Sequence, residues 1–200
     1  MASGNSERLG SAAAVKIVVA GGFGVGKTTM VGSVSEVPPL RTEELITEAS
    51  AGVDDLSGVE AKHTTTVALD FGRITISPEL ILYLFGTPGQ NRFWFMWDEL
   101  ARGALGAVVL ADTRRLDSCF PAVDFFERRG LPFVVGVNCF DDAPRYPLLE
   151  VREALGVSAG VPLLECDARS KESAKSVLLT LLESLVARAR AAEVAAAARA

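Results

Sequence analysis

The stretch from Val15 to Val34, VKIVVAGGFGVGKTTMVGSV, constrains the fold more than any other part of the chain. Val15 to Ala20 is a short, β-prone apolar run, suited to a central strand of a parallel sheet covered on both faces. Four glycines then fall within the six positions from Gly21 to Gly26, and Lys27 opens a helix reaching about Ser35. Gly21, Gly26, Lys27 and Thr28 satisfy G-x-x-x-x-G-K-[ST] at a junction of strand and helix, the context in which that spacing has a mechanism. The glycines let the backbone N–H groups of Gly22, Phe23, Gly24, Val25 and Gly26 converge on phosphate oxygens. Lys27 reaches the outer phosphates as a point charge and the Thr28 hydroxyl is a ligand for Mg2+, with Thr29 following at the helix start. A glycine-rich turn without a ligand is the competing reading. The loop by itself does not choose between ATP and GTP.

The remaining chain alternates strand and helix. Thr66 to Ile74 and Leu80 to Phe85 read as strands joined by a turn at Ser77-Pro78, and so short a connection makes them antiparallel. A helix is expected after Arg92 to Ala101, a strand over Ala107 to Ala111, and a helix over Cys119 to Arg129 closed by Gly130. Strands at Pro132 to Val137 and Pro162 to Cys166 flank a helix over Arg145 to Leu155. The last helix starts near Ser170 and carries Val177, Leu178, Leu181, Leu182, Leu185 and Val186 as an apolar stripe. Residues 36–66 are acidic and irregular, with a short helix expected around Thr42 to Glu48. A loop of that length in a compact domain is usually functional. The expectation is an α/β protein of the P-loop NTPase kind: a mostly parallel six-stranded sheet with one antiparallel strand and helices on both faces. Ligands of such sheets sit beyond the carboxyl ends of the strands. Residues 1–13 read as a disordered tail, 14–186 as one domain, and 187–200 as an alanine-rich extension, helical or frayed.

The 200 residues carry a net charge of −5, which argues against nucleic acid as a partner. Three cysteines (Cys119, Cys139, Cys166) show no metal-ligand spacing and fit a reducing cytoplasm, and those near the base site read as core fillers. No apolar run reaches membrane-spanning length and the first residues lack a signal-peptide core, so a cytoplasmic protein without direct membrane insertion is expected.

The base must be read elsewhere. NCFD (Asn138 to Asp141) follows the strand PFVVGV, and CDAR (Cys166 to Arg169) follows VPLLE. With the phosphate loop, these resemble the N-K-x-D and S-A-K type elements of Ras-like small GTPases, and the resemblance runs from about Val15 to Leu185 with every motif in order. It implies that Asp141 accepts hydrogen bonds from the guanine N1–H and exocyclic amine, a pair adenine cannot donate. It further implies that Asn138 braces the loops and that the Ala168 N–H donates to the guanine carbonyl, with Asp167 and Arg169 beside it. TTTVALDF resembles the end of the first switch, where Thr66 would join Mg2+, with Thr65 and Thr64 as fallbacks. GTPGQ (Gly86 to Gln90) resembles D-T-A-G-Q, so that Gly89 would touch the γ-phosphate and Gln90 would orient the attacking water, with Lys27 stabilising charge.

Several positions depart from that pattern. Cys139 replaces the lysine whose stem covers the base, and Arg169 stands where lysine is usual. Gly86 stands in place of the aspartate that holds Mg2+ through water, which predicts looser metal binding. Phe23 brings a ring into the phosphate loop, either crowding an arginine finger or simply packed. Gly86 and Phe23 resemble the bacterial Ras-like GTPases that work with Roadblock-domain partners, including the actinobacterial conservon type. That resemblance implies a Roadblock protein as partner and a sensor-kinase-like membrane complex in the pathway. Phe93 to Trp97 place five large side chains in a row, more than one helix face can bury, so a protein interface or a covering first-switch loop is expected. Arg92 is a candidate internal arginine finger with nothing local to orient it, and His63 reads as a solvated loop residue. The leading expectation is a GTP/GDP switch that hydrolyses GTP slowly. A non-hydrolysing nucleotide-bound module and an ATP-dependent small-molecule kinase are the alternatives.

Overall fold

The computed structural model describes residues 12–38, 40–47, 64–89 and 95–198, with the backbone alone at 40–47 and 64–68. The element order is β1 (Ala13–Gly21), α1 (Lys27–Val34), β2 (Leu40–Thr47), β3 (Thr64–Ser77), β4 (Leu80–Gly86), α2 (Phe95–Ala101), β5 (Gly106–Ala111), α3 (Phe120–Arg129), β6 (Phe133–Asn138), α4 (Leu148–Leu155), β7 (Leu163–Cys166) and α5 (Lys171–Ala197). A single sheet runs in the order β2-β3-β4-β1-β5-β6-β7. β1 pairs in parallel with β4 and β5, and β6 continues in parallel with β5 and β7. β3 is antiparallel to both of its neighbours, β2 and β4, so it alone runs against the rest.

The six anticipated strands and the single reversed one are present, and β2 adds a seventh at the edge. It replaces the short helix expected around Thr42 to Glu48. Glu43, Glu44 and Leu45 favour helix locally, but the ladder from Leu40↔Phe71 to Thr47↔Thr64 supplies the backbone partners and overrides that preference. α4 begins at Leu148, later than the expected Arg145, because Pro147 sits at its N-cap with extended backbone.

The period-two alternation of the central strands feeds two cores. Ile17 and Val19 of β1 join Val108, Leu110, Met30, Val31, Val177, Leu178 and Leu181 on one face of the sheet. Val18 and Ala20 join Val109, Trp97, Phe126, Phe133 and Val151 on the other. Such two-sided burial explains why the strands read as continuous apolar runs. In α5, Ala174, Val177, Leu178 and Leu181 are buried at helical spacing, and the Ser170 side chain accepts the Ser173 N–H as the N-cap. The helix continues to Ala197, with every residue from Val186 exposed, so the alanine-rich extension is helical. Among the described residues no helix is long and apolar enough to cross a membrane. The 1–13 tail lies outside the described residues except at its last two positions, of which Ala13 already belongs to β1.

A candidate phosphate and base site

The loop from Gly22 to Gly26 lies at the carboxyl end of β1, where the chain turns from the sheet into α1. Gly26 takes the N-cap of α1 in the left-handed region, at φ 104°. A Cβ there would stand 2.6 Å from Asn138 Nδ2, so both conformation and space require glycine. Gly22 to Thr29 are brought together as expected, and Phe23, Lys27, Thr28, Asp70 and Gly89 line an open cleft of about 330 Å³. Lys27 is buried and donates to the carbonyls of Gly21 and Gly22 at 2.9 and 2.7 Å. Burial pushes its ammonium down to about 8, and the Asp70 carboxylate acts in the opposite sense.

Asp70 is a site residue that the sequence reading did not single out. Its register partner across the β3–β4 ladder is Gly86, and the Thr28 hydroxyl donates to Asp70 Oδ2 at 2.6 Å. A Cβ on Gly86 would lie 2.9 Å from Asp70 Cβ, so the two positions have room for one side chain between them. The carboxylate absent at 86 is thus provided from the neighbouring strand. Thr87, next in the chain, is 3% exposed and its Oγ1 has no hydrogen-bond partner among the described residues. A buried hydroxyl facing the same cleft without a partner suits a site completed by a polar ligand. Thr28, Asp70 and Thr87 together offer the hard oxygens that Mg2+ prefers, few enough that phosphates and water supply the rest.

Thr66 is not brought to Thr28. Its backbone pairs with Leu45 in the β2–β3 ladder, four residues and about 13 Å along the strand from Asp70. The residue that the structure sets beside Thr28 is Asp70. Gln90, Arg92, His63, Phe93 and Trp94 lie outside the described residues. Gly89 lies against the Lys27 ammonium and the Phe23 backbone. The Trp97 indole N–H donates to the Pro88 carbonyl at 3.3 Å, fixing the segment just before Gly89 to α2. Phe23 is 65% exposed and Phe95 62%, so Phe23 is not packed, and the aromatic run sends one ring to solvent while Trp97 goes to the core. Arg115 donates to the Phe23 carbonyl at 3.0 Å and steadies the loop from outside.

Behind the phosphate loop, Asn138 is buried and braces two loops at once. Its Nδ2 donates to Val25 O at 2.9 Å, and its Oδ1 accepts the Ala168 N–H at 3.0 Å. This corrects the expected role of Ala168, whose N–H is spent on Asn138 because a buried amide must find a partner. Asp141 is exposed at the end of the same loop and accepts both terminal nitrogens of Arg169 at 2.8 and 3.0 Å. Arg169 also reaches Asp167. These partners hold both carboxyls below the usual carboxylate range. On the opposite side, Arg114 bridges buried Asp112 and exposed Asp142 and lies over the Phe140 ring at 3.9 Å. The segment from Phe140 to Asp142 is held by an arginine on each side. Cys119 and Cys166 are buried with thiols raised to about 12 and 11 by desolvation, as core fillers should be.

Residues 19–188 match the family described as conserved hypothetical ATP binding protein. An uncharacterised protein of Methanocaldococcus jannaschii is 33% identical over 129 residues, 64% of this chain and 71% of that one. The Ras-related protein SEC4 of Candida albicans is 29% identical over 127 residues, 58% of this chain and 60% of its own length. Among solved structures, the FeoB G-domain from Methanococcus jannaschii superposes with a TM-score of 0.58 at 11% identity, covering 86% of this chain and 97% of that one. The cytosolic domain of the T. maritima FeoB iron transporter, in a GDP form, gives 0.63 at 17% identity, covering 88% and 65%. At these identities the structural likeness shows a shared G-domain-like P-loop fold.

Proposed function

Because the chain belongs to the family described as conserved hypothetical ATP binding proteins, and because its base loop ends in a carboxylate, we propose that it is a nucleotide-binding switch that selects GTP and GDP. The observation that carries this reading is the Asn138 brace. It joins the phosphate loop at Val25 to the loop at Ala168 and leaves Asp141 exposed one turn of chain away. A carboxylate there accepts the guanine N1–H and amine, and adenine leaves it unpaired, which is the kind of mismatch that yields large discrimination. The family's description names ATP; the pair of acceptors at Asp141 favours guanine, which donates from N1–H and its amine. The Ras-related relative and the GDP form of the FeoB neighbour are in keeping with that choice.

Lys27 and the amides of Gly22 to Gly26 hold the phosphate chain. Mg2+, when bound, neutralises charge on the outer phosphates, held by Thr28 with Asp70 and Thr87 beside it. In hydrolysis, water attacks the γ-phosphorus in line, the bond to the β-phosphate oxygen breaks, and GDP, phosphate and a proton leave. Gln90 positions the water, and slow turnover is the reading because Gly86 and Phe23 depart from the Ras-like pattern. The partner in this reading is a Roadblock-domain protein, with a sensor-kinase-like membrane complex beyond it and the cytoplasm as the setting. The exposed ring of Phe23, which lines the cleft, and the exposed ring of Phe95 on α2 support docking of a protein on this side of the domain.

Calorimetry with GDP and ADP tests the base. GDP is expected to bind at least a hundred-fold more tightly, and equal affinities would remove the guanine reading. Single-turnover hydrolysis with and without the Roadblock partner separates a switch from a non-hydrolysing module, since stimulated phosphate release excludes the latter.

A further inference from the structure

We propose that Arg169 is an internal competitor for the base, closing the Asp141 carboxylate with the same two-pronged donor pattern that guanine presents. The inference rests on the guanine reading of the site and adds a regulatory element to it. Arg169 Nη1 and Nη2 each take a different oxygen of Asp141, at 2.8 and 3.0 Å. A planar fork of two parallel N–H groups is what a guanidinium shares with the N1–H and amine edge of guanine. Both oxygens are engaged, so a base that reads Asp141 through the same end-on pair competes with the arginine.

The arginine is tethered for that exchange. Its Nε and Nη2 also reach Asp167 at 3.0 and 3.1 Å, and its backbone N–H donates to Asp167 Oδ1 at 2.9 Å. It can therefore leave Asp141 without losing its other partners, and return when the base departs. A lysine at this position would offer a compact point charge and could not match the two oxygens at once. The substitution of arginine for lysine at 169 is what makes the closure possible.

A closed fraction lowers apparent affinity by reducing the population competent to bind, and that loss falls on association. The side chains of Arg169 and Asp141 are 56% and 83% exposed, so their pairing is of the weak, solvated kind. Removing it should improve GDP affinity about two- to six-fold. ADP presents no fork to Asp141 and gains nothing.

The experiment compares the full chain with Arg169→Gln, Arg169→Lys and Asp141→Asn, using GDP and ADP in calorimetry and a fluorescent GDP analogue in stopped flow. Arg169→Gln is expected to bind GDP about two- to six-fold more tightly through faster association, with dissociation and ADP affinity unchanged. Arg169→Lys should show part of the gain and serves if the glutamine variant folds poorly, which its thermal unfolding midpoint reports. Unchanged or weaker GDP binding, or an effect confined to dissociation, overturns the proposal, because it assigns Arg169 to covering the bound base. If the unsubstituted chain prefers GDP and Asp141→Asn abolishes that preference, the guanine reading stands whatever Arg169 does. If neither holds, that reading and this one fall together.

Discussion

Moving the carboxylate from β3 back to β4 is the perturbation that most directly tests the pairing of Asp70 with Gly86. A Cβ at 86 would stand 2.9 Å from Asp70 Cβ and 3.0 Å from its Oδ2. Asp70 Cβ is fixed by the strand, so Gly86→Asp must overpack, at about 1–3 kcal/mol. It also sets a second carboxylate beside the first. At about 4 Å and an effective dielectric near 20, two such charges repel by about 4 kcal/mol, a ceiling because one of them can protonate instead. A loss of about 3 kcal/mol for Gly86→Asp is therefore expected. Asp70→Gly should lose about 1.5–3 kcal/mol through its charged hydrogen bond to Thr28, and up to about 1 kcal/mol more from glycine in a strand. The double variant removes both the clash and the repulsion and leaves one carboxylate near Thr28. It should be more stable than the sum of the single losses by about 2 kcal/mol or more. Urea unfolding of the four proteins at pH 7 measures this. A coupling below about 0.5 kcal/mol, or a Gly86→Asp variant as stable as the parent, would refute the reasoning.

Two further outcomes follow from buried charges. Lys27, lowered to about 8 in the free protein, is charged and fit to hold phosphate below that pH. GDP affinity should be level up to about pH 8 and fall above it by up to about ten-fold per unit, with proton uptake on binding, until the raised pKa of the complex is reached. Calorimetry in two buffers of different ionisation enthalpy between pH 7 and 9 checks this, and a flat profile contradicts it. Arg114→Ala leaves Asp112, whose side chain is 1% exposed, without its ion-pair partner. A loss of about 3 kcal/mol is expected, at the low end for a broken buried pair because Arg114 itself is partly solvated, and urea unfolding measures it.

The sequence announced the phosphate loop because that chemistry is local: strand, glycines, lysine and helix lie within twenty consecutive residues. The base loops were legible for the same reason, each following an apolar strand end. Ala168 was misassigned because its N–H partner, Asn138, arrives from thirty residues away. Asp70 was passed over because its pairing with Gly86 is not set by the turn alone. The hairpin closes at Ser77↔Leu80, which by simple counting sets 70 opposite 87, and the irregularity between Thr75 and Ser77 shifts the register by one to Asp70↔Gly86. A missing side chain on one strand is a reason to count across the ladder to the next. β2 was read as a helix because its glutamates and leucine speak for helix in isolation, and only the β3 partner reverses them. Thr66 was read from its distance to LDF, and its backbone pairs with Leu45, four residues along the strand from Asp70.

The length of α5 has a thermal consequence. Its buried residues end at Leu181, and Val186 to Ala197 extend about 18 Å with no side chain sheltered. Twelve residues alone would scarcely hold a helix in water, so this segment lengthens a coil already started by the packed turns before it. On warming it should unwind residue by residue from the end remote from the core, well before the body of the protein melts. Far-ultraviolet ellipticity will then slope downward ahead of the main transition, and that early drift belongs to the tail alone.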